Sequence, residues 1–439
     1  MRWLLGAALV IVAACSDRAV TAEPPAAVSA QASLTALPRT QAKETVLHDF
    51  SGPDGAAPLF GVLRDSAGAL YGAAIWKLHA KGAIFKLTPQ TGGGYSETLL
   101  HTFHGADGNA PWGIVMDKSG ALYGVTLLGG NSGCPSGCGV VFKIAPSGTG
   151  YTEQTLYEFK PTGGDGMGPI GAPVLDKDGN VYGVTELGGS SNNGAIFKLT
   201  AASNYAESVI YNFPGGAGGS LPQAGLTIDS AGDIYGTANT GGNVSACPDS
   251  GGCGLVMELK PSGNGYTEQV LYRFKGGPSD GAGPLAPVTI DERDRKIFGT
   301  TSFGGAYLLN GVAFELTYSG VERVLHSFQA GSAGGSDPAG QLALASDGTL
   351  YGSTMQGGGG CNSTGCGAIY KLTPSGTGYT FGIVFDFLRQ WRGSEPEFST
   401  ILLENDGSAY GTTRSGGTAS WCNDGGTSAG CGVVFKLTL

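Results

Sequence analysis

The stretch ALYGVT at residues 121–126 contains a Tyr-Gly pair that recurs through the whole chain. Equivalent pairs, one of them Phe-Gly, begin at seven positions: Tyr71, Tyr123, Tyr182, Tyr235, Phe298, Tyr351 and Tyr410. Their spacing of 52 to 63 residues indicates one supersecondary unit that is repeated in a closed or stacked array. The repeat therefore predicts a fold, but it says little about an activity.

Each unit contains four strand-like segments. In the second unit they cover residues 112–117, 121–126, 139–144 and 151–159, with Gly-rich turns and loops between them. The chain has 79 Gly and only 14% charged residues, which argues against helices and for short strands bounded by turns. Four antiparallel strands with short connections form one blade of a propeller.

The two ends of the repeat array complement each other. The last unit shows its third strand, VVFKL at 433–437, without a fourth, whereas ETVLHDF at 44–50 matches the fourth-strand sequence ETLLHTF at 97–103. We expect this N-terminal strand to complete the seventh blade, because closure removes the exposed sheet edge of an open array. The predicted fold is an all-β, seven-bladed β-propeller of four-stranded antiparallel blades over residues 43–439. An open solenoid is the alternative, but it would need polar caps that the sequence does not show.

Residues 1–14 are predicted to be a signal peptide. Arg2 precedes an apolar run, 4–12, that is too short to span a membrane, and Val-Ala-Ala-Cys at 12–15 resembles a bacterial lipobox, in which Cys15 is lipidated. An ordinary secretory signal with an incidental Cys15 is the alternative. Residues 15–42 are rich in Ala, Pro, Ser and Thr and have no apolar periodicity, so we expect a lipid-anchored flexible tether.

The nine cysteines divide into Cys15 and four close pairs. The pairs are Cys134/Cys138, Cys247/Cys253, Cys361/Cys366 and Cys422/Cys431. Zinc binding is one interpretation of such spacing, but no His accompanies the pairs and each lies in a different unit. The lipobox indicates an oxidising compartment, so we predict four local disulfides.

An Asp-Gly pair precedes most blades and provides the candidate ligand site. The series contains Asp54, Asp107, Asp165 and Asp280, with Asp337 also placed in it and Ser220 and Glu395 as substitutes. The simpler interpretation is that each Asp caps its own turn; the alternative is a ring of carboxylates near the channel mouth, suited to Ca²⁺ or a polar ligand. A second series, Asp65, Asp117, Asp176, Asp229 and Asp291, is predicted to lie in the turns between first and second strands.

The connections between second and third strands and those entering each blade should emerge on one face. The longest and most variable loops lie there, so we predict that a ligand contacts Asp54, Asp107, Asp165, Asp280 and Trp112 or Trp421 on that face.

The whole repeat resembles the GloVer tandem repeat of bacterial surface proteins called choice-of-anchor tandem repeat GloVer-containing proteins. The resemblance rests on the YGxT, GG-loop, [AV][IV]FKLxPxGxGYxExxLYxF pattern, which covers about residues 43–439. It implies an exported, envelope-anchored, propeller-like domain and carries no activity with it. Local departures are Lys81, which precedes the third strand of unit one without a GG loop, Phe298 and Glu315 in unit five, and the lack of cysteines in units one, three and five.

Two classes of function follow from these observations. The first is a membrane-anchored surface lipoprotein, expected in the outer membrane, that binds a glycan or protein as a monomer without catalysis. The second is a propeller enzyme, a hydrolase or lyase acting on extracellular glycans, lactones or esters. The sequence has no nucleophile elbow, phosphate loop or metalloprotease helix, so we predict no catalytic residues, no metal and no cofactor. A net charge of −10 without a basic cluster argues against nucleic acid as a partner.

Overall fold

The structure of the protein is a computed structural model that describes residues 42–130, 133–263, 265–331, 334–359, 365–388, 393–419, 422 and 430–439. The chain divides into two units, residues 1–40 and 41–439, and the described residues belong to the second. The predicted signal peptide and the lipidation site Cys15 lie outside the described residues, as does all of the predicted tether except Ala42.

The second unit is a seven-bladed β-propeller, as the sequence predicts, and each blade is a four-stranded antiparallel sheet. Blade 1 consists of β2 (Leu63–Arg64), β3 (Leu70–Ala74), β4 (Ala83–Pro89) and β5 (Tyr95–Thr102). Blade 2 consists of β6 (Asn109–Met116), β7 (Leu122–Leu128), β8 (Val140–Ser147) and β9 (Gly150–Glu158). Blade 3 consists of β10 (Gly166–Leu175), β11 (Val181–Gly188), β12 (Ala195–Thr200) and β13 (Ala206–Asn212). Blade 4 consists of β14 (Thr227–Ile228), β15 (Ile234–Ala238), β16 (Leu255–Ser262) and β17 (Gly265–Arg273).

Blade 5 consists of β19 (Thr289–Asp291), β20 (Lys296–Thr301), β22 (Val312–Thr317) and β23 (Glu322–Ser327), and a small ribbon of β18 (Gly281–Ala282) and β21 (Phe303–Gly304) lies beside it. Blade 6 consists of β24 (Ala343–Leu344), β25 (Leu350–Thr354), β26 (Ala368–Ser375) and β27 (Gly378–Asp386). Blade 7 consists of β28 (Leu402–Leu403), β29 (Ser408–Thr413), β30 (Val433–Thr438) and the N-terminal strand β1 (Lys43–Asp49). The described residues contain three single-turn 3₁₀ helices, all in connections, at Ala201–Ser203, Gly216–Gly218 and Pro248–Ser250. Among the described residues, no helix is long and apolar enough to cross a membrane.

The N-terminal strand closes the ring as expected. It pairs antiparallel with β30, from Lys43 opposite Thr438 to Asp49 opposite Val433. Blade 7 thereby joins the two ends of the repeat array, and the interface between blades 7 and 1 is called the seam below. Closure gives β30 a hydrogen-bonded partner on both sides, so its backbone donors and acceptors are not left as an open edge.

The Tyr-Gly pair is explained by packing between neighbouring strands. In six of the seven pairs the glycine lies under the aromatic ring of the third strand, so that a Cβ on Gly72 would stand 2.3 Å from the Phe85 ring. In blade 4, Gly236 faces Leu226 and Met257 instead. A bulge between Ile84 and Phe85 recurs at the equivalent position of the other blades and sets this ring. Only glycine leaves room for it.

The third-strand ring also joins the blades. The Phe that follows each fourth strand packs edge-on against the third-strand ring of the next blade, for example Phe103 against Phe142 with ring centroids 5.1 Å apart. Six of the seven interfaces contain this aromatic pair, and at the interface of blades 3 and 4 Phe213 belongs to the same buried cluster as Met257. The core is therefore distributed between blades, so that each blade is stabilised by its neighbours.

Candidate functional site

The four Asp residues predicted to bind a ligand are engaged in the links, the connections from one blade into the next. Asp107 Oδ1 accepts a hydrogen bond from His104 N at 2.8 Å, and Asp107 Oδ2 lies 2.9 Å from His101 Nε2. Asp280 Oδ2 accepts a hydrogen bond from the Tyr272 hydroxyl at 2.7 Å. Asp54 and Asp165 make the corresponding contacts in their own links. These carboxylates cap turns beside the outermost strands, and their role in ligand binding stays a prediction.

The placement of Ser220, Asp337 and Glu395 in that series is wrong. Ser220 bridges Thr240 as Ala56 bridges Trp76, so it lies two residues after the capping position. The structure puts Asp337 and Glu395 directly before a proline, at a left-handed backbone position that each link contains once. The seven residues at this position are Ala57, Ala110, Gly168, Leu221, Gly283, Asp337 and Glu395, with φ between 51° and 66°. Their side chains therefore leave the link three residues after the capping position.

Trp112, the other predicted contact, is half-buried between blades. It packs against the buried residues of two core clusters, and its ring lies 5.2 Å from that of Phe60. Trp421 lies outside the described residues. Trp112 thus contributes to the packing of the inner strands.

Three of the predicted disulfides lie wholly within the described residues, and all three are present. They join Cys134 to Cys138, Cys247 to Cys253 and Cys422 to Cys431. Cys366 is also disulfide-bonded, while Cys361 lies outside the described residues. Each bridge fastens a connection between second and third strands, on the face that carries the links.

A set of polar side chains lies where second strands end on this face. The equivalent repeat position holds Ile75, Leu127, Glu186, Asn239, Ser302, Met355 and Arg414. Gln223 donates to Glu186 Oε1 at 2.7 Å and accepts from Asn239 Nδ2 at 2.7 Å. Burial raises the pKa of Glu186. The units that carry polar residues at this position thus build a polar arc on one side of the ring.

A pocket of about 430 Å³ opens at the seam. Its walls are the link into blade 1, the connection 76–79 of that blade, and the connection of blade 7 with the Cys422–Cys431 bridge. We call this the seam pocket. Its polar walls come from Lys77, His79, Arg414 and Ser415, and Trp76 provides an indole that is 45% exposed. None of the described lining residues is acidic.

The connection 76–79 is held in place by the link. Ala56 and Trp76 form an antiparallel bridge, and Leu78 N donates to the Gly52 carbonyl at 3.0 Å. Asp54 in turn accepts from the amide of Gly52 at 2.9 Å. Asp54 therefore positions one wall of the seam pocket without lining it.

His79 lies in the left-handed region, with φ of 60°. This conformation is strained for a residue with a Cβ, and strained residues of this kind are often found at functional sites. The backbone here closes a tight turn, in which Ala80 N donates to the Lys77 carbonyl at 3.1 Å. The turn places Lys77 and His79 in the wall of the same pocket.

Behind Arg414 lies a buried acid. Arg414 Nη1 donates to Glu397 Oε2 at 3.0 Å, and the Glu397 side chain is only 5% exposed. Burial raises the pKa of Glu397 to about 7, and the neighbouring carboxylates of Asp337 and Glu395 act in the same direction, whereas Arg414 opposes them. The carboxyl of Glu397 therefore changes charge near neutral pH, in direct contact with a pocket cation.

The seam pocket cannot be found from the repeat pattern alone. Its residues occur where unit one loses the GG loop and where unit seven carries Arg at a position that holds Ile, Leu, Glu, Asn, Ser or Met in the other units. The signal in the sequence is that units one and seven both depart from the other units, and that closure of the ring makes these two units neighbours. Within the described ranges, no group of three or more His, Cys, Asp or Glu side chains is placed to hold a metal ion.

A comparison with known sequence families agrees with the repeat. The sequence family described as the Gloeobacter/Verrucomicrobia repeat matches residues 27–247 and 248–423. A search of curated proteins found no match. Among solved structures, a protein described as a putative oxidoreductase (glucose dehydrogenase) from Thermus thermophilus is similar, with a TM-score of 0.44 and 14% identity over 74% of this chain and 96% of that chain. A protein of unknown function from Dyadobacter fermentans has a TM-score of 0.39 and 12% identity over 77% of this chain and 96% of that chain. The chain belongs to the Gloeobacter/Verrucomicrobia (GloVer) repeat family.

Proposed function

We propose that this protein is an envelope-anchored binding protein that holds a small ligand in the seam pocket and performs no chemistry on it. The observation that carries the proposal is the pocket wall, where an exposed indole and the side chains of Lys77, His79 and Arg414 surround one concave space. A pocket volume of about 430 Å³ lies in the range typical of small-molecule sites. Its place on connections held by a rigid propeller is typical of binding sites.

The lining argues for binding over hydrolysis. Most glycosidases need two carboxyl groups facing the scissile bond, and the described lining residues include none. The acid behind the wall, Glu397, is buried and paired with Arg414. Glu397 is not among the described residues that line the pocket.

The test is a binding screen of the purified full-length protein against a glycan array and a small-molecule panel. Ligands found for the wild type should be lost in Trp76→Ala. The matched control is Tyr307→Ala, because Tyr307 is a similarly exposed aromatic residue, at 47%, in the corresponding connection of blade 5. Equal binding by both variants would place the ligand elsewhere and contradict the proposal.

A lyase or hydrolase is the second candidate, favoured by one observation. The pKa of Glu397, raised to about 7 by burial, lies in the range suited to acid and base catalysis. A panel of polysaccharide lyase and glycosidase substrates tests this: turnover by the wild type that is lost in Glu397→Gln would favour the enzyme.

The anchor is proposed from the N-terminal sequence. Val-Ala-Ala-Cys at 12–15 supports lipidation of Cys15, and residues 15–42 supply a tether of roughly 30 Å by random-coil scaling. The protein would then act from a bacterial membrane, with the outer membrane as the proposed location and a glycan or protein as its ligand. Mass spectrometry of the mature N-terminus should find a lipid-modified Cys15; a free N-terminus further along the chain would contradict it.

A further inference from the structure

We propose that blades 3 to 5 carry a second binding site, separate from the seam pocket, that takes a saccharide bearing a free amine. The site consists of the amide row, defined as the hydrogen-bonded side chains of Glu186, Gln223 and Asn239, and of the exposed ring of Phe303. Its connections and links lie wholly within the described ranges 133–263 and 265–331. The seam pocket, between blades 7 and 1, shares no lining residue with it.

The amide row is not required by the fold. Glu186 and Asn239 lie where second strands end, and blades 1, 2 and 6 have Ile75, Leu127 and Met355 at that position. Gln223 follows the link proline, at a position that is apolar in five of the other six units: Leu59, Trp112, Ile170, Leu285 and Ala339. Since those blades pack without polar groups there, the three polar side chains of the amide row serve another purpose.

Glu186 is a buried acid without a counter-charge. It is 6% exposed, and its Oε1 accepts a hydrogen bond from Gln223 Nε2 at 2.7 Å. Within the described part of the chain Glu186 forms no ion pair; burial raises its pKa, and the hydrogen bond from Gln223 acts in the opposite direction. A buried carboxylate is costly unless a positive group pairs with it. A ligand ammonium group provides that pair, with charge-assisted hydrogen bonds.

The two amides give the row a direction. Because Gln223 donates to Glu186, its Oε1 is presented to Asn239, whose Nδ2 donates to it at 2.7 Å. Asn239 Oδ1 is left at the other end of the row, where the side chain is half-buried and not fully enclosed. Each amide nitrogen also carries a second N–H. Donors and acceptors placed side by side in this way suit the hydroxyl groups of a saccharide.

Phe303 borders the Asn239 end of the row. It lies in β21, paired with Ala282 of β18, and is 40% exposed. Its ring and the Asn239 amide meet over Gly283, where a Cβ would stand 3.1 Å from both Phe303 Cδ2 and Asn239 Oδ1. A ring held in this way loses little conformational entropy on binding. It therefore offers an apolar face to the C–H groups of a pyranose, beside an amide that can bond its hydroxyls.

The surrounding charge favours a cation. The connections of blades 3, 4 and 5, at 186–194, 239–254 and 302–311, contain no Lys, Arg or His, and the whole chain has a net charge of −10. Negative charge around a site raises the local concentration of cations and speeds their association. These connections therefore contain no cationic side chain that competes with a ligand amine for Glu186.

The experiment measures binding to the full-length protein by calorimetry at about pH 7. The probes are the glucosamine trimer, its fully N-acetylated counterpart, and spermidine. An amine with a pKa like that of an α-amino group, about 7.7–8.0, is mostly charged at this pH. We expect the glucosamine trimer to bind about ten-fold or more tightly than the acetylated trimer, which has no charge to pair with Glu186, and more tightly than spermidine, which has no ring to pack on Phe303.

Glu186→Gln should lower the affinity for the glucosamine trimer to that for the acetylated trimer, while the new amide can still pair with Gln223. The matched control is Glu207→Gln, which removes one negative charge from the outer strand β13 of the same blade and should leave the affinity unchanged. Phe303→Ala should weaken binding of the glucosamine trimer several-fold. Tyr307→Ala removes another exposed aromatic residue of the same connection and should not.

Trp76→Ala removes a wall of the seam pocket and should bind the glucosamine trimer like the wild type. If the trimer were lost in Trp76→Ala but kept in Glu186→Gln, the amine would belong to the seam pocket, and the second site would be rejected while the proposed function stood. A ligand kept in Trp76→Ala and lost in Glu186→Gln gives the opposite assignment.

Other outcomes would also overturn the second site. Equal binding of the two trimers would reject recognition of the amine, and spermidine bound as tightly as the glucosamine trimer would reject the saccharide. An equal loss in Glu186→Gln and Glu207→Gln would show a general effect of the negative charge of the protein. If the wild type bound none of the three probes, this ligand class would be wrong.

Discussion

Phe50 packs edge-on against Phe85 across the seam, with ring centroids 5.1 Å apart and an interplanar angle of 65°. Phe103 and Phe142 make the same contact between blades 1 and 2, at 5.1 Å and 62°. The first pair joins the N-terminal strand to blade 1, and the second lies within the continuous array. The seam is therefore packed like an ordinary interface between blades.

This equivalence predicts the energetics of closure. Phe50→Ala and Phe103→Ala each remove a fully buried ring, so each should lower the free energy of unfolding by about 3–5 kcal/mol. Denaturant titration followed by fluorescence measures both. If Phe50→Ala cost less than about 1 kcal/mol while Phe103→Ala kept its full effect, the seam would be open in solution.

Removal of residues 43–50 should have a larger effect. It leaves β30 without its outer partner and uncovers the apolar side of blade 1, because both β1 and Phe50 are lost. The truncated protein should melt at a lower temperature and associate, as measured by calorimetry and light scattering. A monomer that keeps the wild-type melting temperature would contradict closure by this strand.

The glycine of the Tyr-Gly pair should be replaceable in one blade and not in the others. Gly72→Ala places a Cβ 2.3 Å from the Phe85 ring, whereas Gly236→Ala meets Leu226 Cδ2 at 3.2 Å and Met257 Cγ at 4.0 Å. We expect Gly72→Ala to cost about 1–3 kcal/mol and Gly236→Ala to be near neutral. Unfolding in denaturant measures the difference.

The background Phe85→Met reproduces the arrangement of blade 4. In that background, Gly72→Ala should lose most of its cost, which a double-mutant cycle detects as non-additivity. Additive effects would show that contact with the ring is not the reason for glycine.

The fold was predictable from the sequence because its determinants are local and repeated. The strand pattern, the turn Asp and the Tyr-Gly pair recur from unit to unit. The second Asp series caps the predicted turns; Asp176, for example, accepts a hydrogen bond from Asn180 N at 2.9 Å. Even closure was visible, because residues 44–50 resemble a missing fourth strand. A fold predicted from a repeated pattern can still be recognised when single units depart from the pattern.

The candidate site was not predictable in the same way, because it consists of exceptions. Trp76 and Arg414 are far apart in sequence and come together only through closure. The Asp series drew attention through its regularity, yet Asp54 and its equivalents are engaged as turn caps. Regular positions build the scaffold, whereas irregular ones provide the specific surface.

Two outer-strand glutamates should make the stability depend on pH. Burial raises the pKa of Glu207 and of Glu322 to about 7, and the nearby carboxylates of Asp165 and Asp280 add to this. Since the folded-state pKa exceeds the ordinary 4.5, the stabilising contribution is complete below about pH 4.5 and is lost as the pH rises through about 7.

The double variant Glu207→Gln/Glu322→Gln should therefore gain stability relative to the wild type between about pH 4.5 and 8. The measurement is denaturant unfolding of both proteins across that range. Glu268→Gln is the matched control, because Glu268 has the same strand position but the link beside it carries Gly218 instead of Asp. A constant difference between variant and wild type at all pH values would contradict the assignment.

The Cys422–Cys431 bridge should matter for ligand binding more than the other disulfides do. Both cysteines line the seam pocket, and the bridge holds the connection of blade 7 against the link into blade 1, where Ala57 N donates to the Cys431 carbonyl at 2.8 Å. Cys422→Ser/Cys431→Ser should therefore weaken binding of a pocket ligand by ten-fold or more, because the wall must then be ordered during binding. Cys134→Ser/Cys138→Ser removes a similarly short bridge in blade 2 and should leave the affinity unchanged. Calorimetric titration measures the ligand affinity of both variants. An equal loss of affinity in the two would show that the bridges affect binding only through the overall stability of the protein.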